Sequence, residues 1–474
     1  MHSVKRLLLP LTLIVLGIAG CAGEKAAPPA PPKIEDQVQD DTLLLYSNPD
    51  PPAGQLRALG VDRVRITAGW ASIAPAPLSR RRPSFDATDP IAYPRGAWAP
   101  LDRAVAAVLA HRMRVMIDVA FWAPRWAVRR SVGAPGRDAG PPGEFRWKPD
   151  PVEFGKFAEA VARRYPQVHL WTTWNEPNHT AFLLPQWERR GPGWFPVAAH
   201  WYRRMHEEAY AAIKRVSRQN RVLIGGLSSG GADRPGNYRT IRPLRFLREL
   251  ACVDRSLRPL DVPECRGYRP LGAVGFAIHP YVHRRAPQRH LPNPDSVGIN
   301  DLPRLSSLLD RLHRRGRIRA RLPVYVTEFG YETSPPDRRR GVPLFLQAAW
   351  LNRAAAIVYS RPDVRMYSQF LLRDGTNNRL YQTGLILPDG RPKPSLYGFP
   401  VPLWIEGRQA IGRVRPGTGR RPVVLERQSA AGVWRAVGKP FRTDADGMVR
   451  RRVPRPGVYR LVSDGRGSLS ARAR

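Results

Sequence analysis

Acidic residues, cysteines and long apolar runs are all scarce in this 474-residue sequence. Asp and Glu number 39 against 77 Lys and Arg, a formal charge of +38. The surplus is spread along the chain, as in Arg80-Arg81-Arg82, Arg338-Arg339-Arg340 and Arg450-Arg451-Arg452, instead of forming one basic face. That spread argues against a nucleic-acid recognition element and suits an anionic envelope surface or an acidic polysaccharide, with a codon-composition bias of no functional meaning as the equal alternative. No Gly-rich nucleotide loop occurs. His206-Glu207-Glu208 lacks the second histidine of a zinc-protease helix, and His279, His283 and His290 show no metal-ligand spacing. Neither cofactor nor metal is expected.

The one long apolar run, Leu7 to Ile18, is too short to span a membrane securely. It follows Lys5 and Arg6 and precedes Ala19-Gly20, the layout of an export signal over residues 1–20. Ile18-Ala19-Gly20-Cys21 resembles a bacterial lipobox, which implies acyl chains on Cys21 as a membrane anchor, with plain secretion as the alternative. Residues 21–40, with the Pro/Ala stretch Ala26 to Pro32, read as an extended tether.

Cysteine is limited to Cys21, Cys252 and Cys265. The last two flank a turn-rich segment, and an oxidising compartment would let them close a disulfide contributing about 3 kcal/mol. Free buried thiols are the alternative. Neither has a catalytic partner nearby in sequence.

What is present is a regular alternation of strand-like and helix-like segments. Strands are expected at Thr42 to Tyr46, Arg63 to Thr67, Arg114 to Ala120, Val168 to Trp174, Val222 to Leu227, Ala273 to Ile278, Leu322 to Val326 and Val364 to Leu371. Helical periodicity lies between them, over Trp98 to His111, Val152 to Arg163, Ala198 to Arg218, Leu302 to Arg314 and Leu344 to Ser360. The alternation predicts a parallel α/β architecture, a (β/α)8 TIM barrel over residues 41–404. From about Glu406 short alternating runs with Gly, Pro and Asp turns predict a small β-sandwich over 405–474. Trp434 is its candidate sugar contact, although a stabilising or spacing role is the plainer reading.

Two glutamates stand where such a barrel keeps its chemistry. Glu176 in Trp174-Asn175-Glu176-Pro177-Asn178 and Glu328 in Val326-Thr327-Glu328-Phe329-Gly330-Tyr331 both follow apolar runs, at the C-terminal ends of the fourth and seventh strands. Glycoside hydrolysis needs such a pair, one carboxyl protonated to assist the leaving group and one ionised to attack or to activate water.

Asn-Glu-Pro after strand four and Glu-Phe-Gly after strand seven resemble the signature of glycoside hydrolase clan A, including the cellulase-like family five and the xylosidase-like family thirty-nine. The resemblance covers roughly residues 41 to 400. It implies that Glu176 is the acid/base, Glu328 the nucleophile and Asn175 the partner of the sugar 2-hydroxyl. Arg65 would hold Glu328 ionised by lowering its pKa. In His279-Pro280-Tyr281, Tyr281 would donate to Glu328 and His279 would touch a sugar hydroxyl. Many clan members carry a tryptophan on strand eight. Here Met366-Tyr367-Ser368-Gln369-Phe370 stands there, and Gln369 is expected to take that place.

Aromatic rings should form the sugar platform, with Trp122 and Trp126 as candidates on one wall and Trp187 and Trp194 on the other. The expected activity is retaining cleavage of a β-linked oligo- or polysaccharide. The competing expectation is a non-catalytic envelope lipoprotein that uses the cleft only to bind glycan.

Overall fold

The computed structural model describes residues 34–129, 145–377 and 381–474, so the segment expected to be an export signal and Cys21 lie outside the described residues. Eight parallel strands close into a barrel: β1 Glu35–Gln39, β2 Arg63–Gly69, β3 Arg114–Ala120, β4 Leu170–Thr173, β5 Arg221–Ser228, β6 Gly275–His279, β7 Val324–Val326 and β8 Val364–Phe370. Pairing of β1 with both β2 and β8 closes the ring.

The first strand corrects the sequence reading. It lies inside the segment 21–40 read as tether, while Thr42 to Tyr46 falls in and beside the short helix Asp41–Leu45, capped by the Asp40 carboxylate on the Leu43 amide. The reason is the polar character of β1. Glu35 accepts from Arg63 Nε at 2.5 Å, Gln37 donates to Ser368 Oγ at 3.2 Å, and Gln39 accepts from Arg65. Buried polar groups are stable when each finds a partner, so this strand carries little of the apolar signal by which strands are recognised.

The barrel interior alternates this polar network with an apolar layer of Met116, Leu170, Leu223, Ala277, Tyr325 and Met366, one from each of six strands. Outward residues such as Val64, Ile66, Val115 and Ile117 pack with the helices in the main core. The helix Pro151–Arg164 starts where Asp150 accepts from the Val152 and Glu153 amides, with Pro151 in its first turn. It packs on the helix Val197–Val216, and Gly155 permits the approach: a Cβ there would lie 2.9 Å from Cβ of Glu208. The expected tryptophan-rich loop after β4 contains the hairpin Glu188–Arg190 and Gly193–Phe195. Among the described residues no helix is long and apolar enough to cross a membrane.

After the barrel come antiparallel strands β9 Leu403–Glu406, β10 Gln409–Arg413, β11 Pro422–Gln428, β12 Met448–Arg452 and β13 Gly457–Ser463, in two sheets around their own core of Leu403, Ile405, Val423, Leu425, Tyr459 and Leu461. This β-sandwich joins the barrel through buried charge. Asp36 of β1 meets Arg413 Nε at 3.2 Å and Arg415 Nε at 2.9 Å, and accepts the Tyr359 hydroxyl. Trp434 lies in the short strand Trp434–Ala436, half-buried with Arg460 stacked over its ring at 4.5 Å.

Candidate active site

Glu176 is presented by a backbone that glycine on the next strand makes possible. Trp174 and Glu176 both have positive φ, 65° and 39°, a costly conformation for residues with a Cβ. The amide of Glu176 is held by the carbonyl of Gly226 at 2.9 Å, and Trp174 donates from its amide to Val119 O at 2.7 Å. The β5–β6 register shifts between Gly225 and Leu227, and Gly225 has φ 107°, where a Cβ would meet Ala277 O at 2.5 Å. Asn178, which sequence reasoning quoted but gave no role, latches the loop. Its amide donates to Ser228 O, Ser228 Oγ and Ile241 O at 2.9 to 3.2 Å and accepts from Ser228 N at 2.8 Å.

Glu328 comes to the same place from β7. One oxygen of each glutamate and Nδ1 of His279 all lie within 4.8 Å of one another. Arg65, fully buried on β2, donates from Nη1 to Glu328 Oε1 at 2.5 Å and from Nη2 to Asp118 Oδ2 at 2.8 Å and Asn175 Oδ1 at 2.9 Å. Tyr281 donates its hydroxyl to Glu328 Oε2 at 3.3 Å. Arg65, Asn175, Glu176, His279, Tyr281 and Glu328 thus form one cluster.

The two carboxyls have different surroundings. Burial pushes Glu176 up to about 7, against the weaker pull of His179 and Arg65. Burial also raises Glu328, opposed by His279 and Arg65 and reinforced by Glu176. Arg65 does pull Glu328 down, as expected, but desolvation outweighs the guanidinium and the net shift is upward. Of the pair, Glu328 alone has a direct Arg65 hydrogen bond, which favours its ionised form. Burial lowers His279 to about 4, so it is neutral near pH 7. Its Nε2 is buried without a hydrogen-bond partner, which assigns the proton to Nδ1, because a buried N–H without an acceptor costs more than a bare lone pair. Tyr281, raised by burial and by Glu328, keeps its proton.

Asn175, Glu176, Tyr281 and Glu328 of this cluster line a cavity of about 980 Å³, together with Trp122 among others. Five residues expected to meet the sugar fall elsewhere. Gln369 turns its amide to the carbonyls of Phe370 and Thr383 at 2.8 and 2.7 Å, because the turn after β8 needs donors for its inward carbonyls. His279 is fully buried beside the carboxylates and does not line the cavity. Trp126 packs edge-on against Trp70 and Phe85 and donates to Pro75 O. Trp187 is buried, donating to Arg239 O at 2.7 Å, and Trp194 packs beside Arg189, so neither forms the opposite wall.

Aromatic surface is supplied instead by Phe121, Phe182, Phe370 and Tyr381, the last 51% exposed and edge-on to Phe370 at 5.3 Å. Sequence reasoning missed Tyr381, which belongs to the loop after β8 and has no strand or motif to mark it. It also missed Glu332, another cavity carboxyl, raised to about 7 by burial and by Asp337. The buried pair Lys393 and Asp374, at 2.7 Å, was missed as well; Lys393 also donates to Thr333 Oγ1 at 2.8 Å and so ties the loops after β7 and β8 together.

Two groups among the described residues could hold a metal by distance alone. In one, Cys252 and Cys265 are bonded to each other as a disulfide beside His200, which leaves no thiolate. The other is Glu176, His279 and Glu328, where the Arg65 cation already occupies the carboxylate side.

No protein-family model matches this sequence, and no curated protein matches it. Solved structures do. A family 39 glycoside hydrolase from the gut symbiont Bacteroides cellulosilyticus WH2 superposes with TM-score 0.51 at 15% identity, over 89% of this chain and 79% of that one. A glucosidase from Croceicoccus marinus gives TM-score 0.49 at 12% identity, over 90% of this chain and 94% of its own. The hyperthermophilic β-glucosidase from Pyrococcus furiosus gives 0.48 at 16%, over 78% and 95%. The first likeness, at its low identity, establishes a shared fold, the closed eight-stranded parallel barrel.

Proposed function

We propose that the protein is a retaining glycoside hydrolase acting on a β-linked glycan. The observation that carries this reading is that one carboxyl oxygen of Glu176 lies within 4.8 Å of one of Glu328, with both residues lining the same cavity. Retaining enzymes hold their carboxyls about 5 to 5.5 Å apart, whereas inverting enzymes need roughly 6.5 to 9.5 Å to admit a water. Glu328 attacks the anomeric carbon and forms a glycosyl ester as the bond to the leaving oxygen breaks, and Glu176 gives that oxygen its proton. Glu176, now ionised, takes a proton from water, whose oxygen attacks the anomeric carbon and releases Glu328. The elevated pKa of Glu176 suits the acid role, and the Arg65 and Tyr281 hydrogen bonds suit a carboxylate that must carry charge. The lipobox-like Ile18-Ala19-Gly20-Cys21 adds to this reading an exported enzyme held at the cell envelope.

A hydrolysis screen on aryl β-glycosides tests the proposal, with Glu176→Gln and Glu328→Gln as controls. Release of aryl alcohol by the wild type, lost in Glu328→Gln, is expected. Glycan binding without hydrolysis, unchanged in both variants, would replace the enzyme with a binding protein.

A further inference from the structure

Beneath the two glutamates the barrel holds a carboxylate that the reaction scheme does not use. Asp118, on β3, is fully buried. Its Oδ2 accepts Nη2 of Arg65 at 2.8 Å and its Oδ1 accepts the Thr172 hydroxyl at 2.6 Å. Nη2 also donates to Asn175 Oδ1, while Nη1 serves Glu328 and Gln39. A single buried guanidinium is thus divided between two carboxylates.

This division has two effects. Arg65 offers only donors, so Asn175 must show it the amide oxygen, which leaves Nδ2 for the cavity that Asn175 lines. A buried guanidinium facing Glu328 alone would also form a closed ion pair and blunt the carboxylate as a nucleophile. A second carboxylate on the far edge of the guanidinium limits that pairing.

We propose that Asp118 is a positioning residue that acts through Arg65, sharing the guanidinium so that Glu328 stays free to attack and Asn175 turns its amide nitrogen to the sugar. The role in turnover rests on the glycosidase reading. The charged or titratable groups facing Glu328 are Arg65 on β2, Glu176 after β4, His279 and Tyr281 at the end of β6, and Tyr381 after β8. Asp118 and, more remotely, Asp41 reach it through Arg65.

Asp118→Asn keeps the shape and removes the charge. The protonation midpoint of Glu328 should fall by about one pH unit, since Arg65 then serves it alone. Carbon-13 NMR of carboxyl-labelled glutamate reads this without substrate, with Glu328 assigned by Glu328→Gln. On an aryl β-glycoside that the wild type cleaves, Asp118→Asn should lose about tenfold in kcat. It should also narrow the kcat gap between that substrate and its 2-deoxy analogue, which a merely structural residue would leave alone. Thr172→Val leaves the whole Asp118 charge to Arg65 and should move the midpoint upward. An unmoved midpoint in Asp118→Asn, or in Thr172→Val should Asp118→Asn not fold, overturns the proposal. A shifted midpoint in a protein that cleaves no glycoside would sink the glycosidase reading and leave the coupling of Asp118 to Glu328 standing.

Discussion

Nδ1 of His279 lies 2.9 Å from Oε1 of Glu176, with the histidine fully buried and the glutamate side chain 12% exposed. The same nitrogen is 3.6 Å from Oε2 of Glu328. A neutral imidazole that donates from Nδ1 to Glu176, with Glu328 beyond hydrogen-bond distance, orients the proton carrier without adding charge. His279→Ala should therefore lower kcat by at least about tenfold on glycosides with poor leaving groups, and far less on activated aryl glycosides that need no protonation. Comparing the two substrate classes in wild type and variant checks this.

The elevated pKa of Glu176 also bears on stability. A carboxyl at about 7 in the folded protein and 4.5 unfolded keeps more protons in the native state between those values, so stability falls as pH rises through that window. Glu176→Gln should raise unfolding stability at pH 8 by up to about 3 kcal/mol, with the gain fading toward pH 4. Denaturant midpoints measured at both pH values give the sign.

Tyr381 and Phe370 line the same cavity as Glu176 and Glu328, and strand eight carries no tryptophan. Tyr381→Ala should raise KM about tenfold on the preferred glycoside, and Tyr381→Phe much less, since the ring supplies stacking area. Steady-state kinetics on one substrate separates the two.

The disulfide between Cys252 and Cys265 closes a loop with sequence separation 13, and neither cysteine lines the cavity. Replacing both with Ser should lower unfolding stability by about 3 kcal/mol while kcat is kept. Urea unfolding of wild type and variant, with turnover on folded samples, provides the check.

The barrel was legible in the sequence wherever outward apolar residues alternate with inward ones. β3 begins and ends at the expected residues, and the helix Leu302–Arg314 does too. β1 escaped because Glu35, Gln37 and Gln39 are buried polar residues whose partners, Arg63, Ser368 and Arg65, are distant in sequence. In the site, short motifs at strand ends pointed to Asn175, Glu176, His279, Tyr281 and Glu328, which the structure brings together with Arg65. The contacts of Arg65 and Tyr281 with Glu328 were expected and are present, whereas whether His279 faces sugar or carboxylate depends on a depth that no motif encodes. Tyr381, Lys393 and Asp374 come from a loop whose path is set by tertiary packing, and Gln369 lost its expected role to carbonyls of that loop.

The most direct test of the account is proton NMR of the first sugar released, recorded before mutarotation. Double displacement through Glu328 predicts a product with the anomeric configuration of the substrate. An inverted first product would contradict it, showing that water and not Glu328 attacks the anomeric carbon.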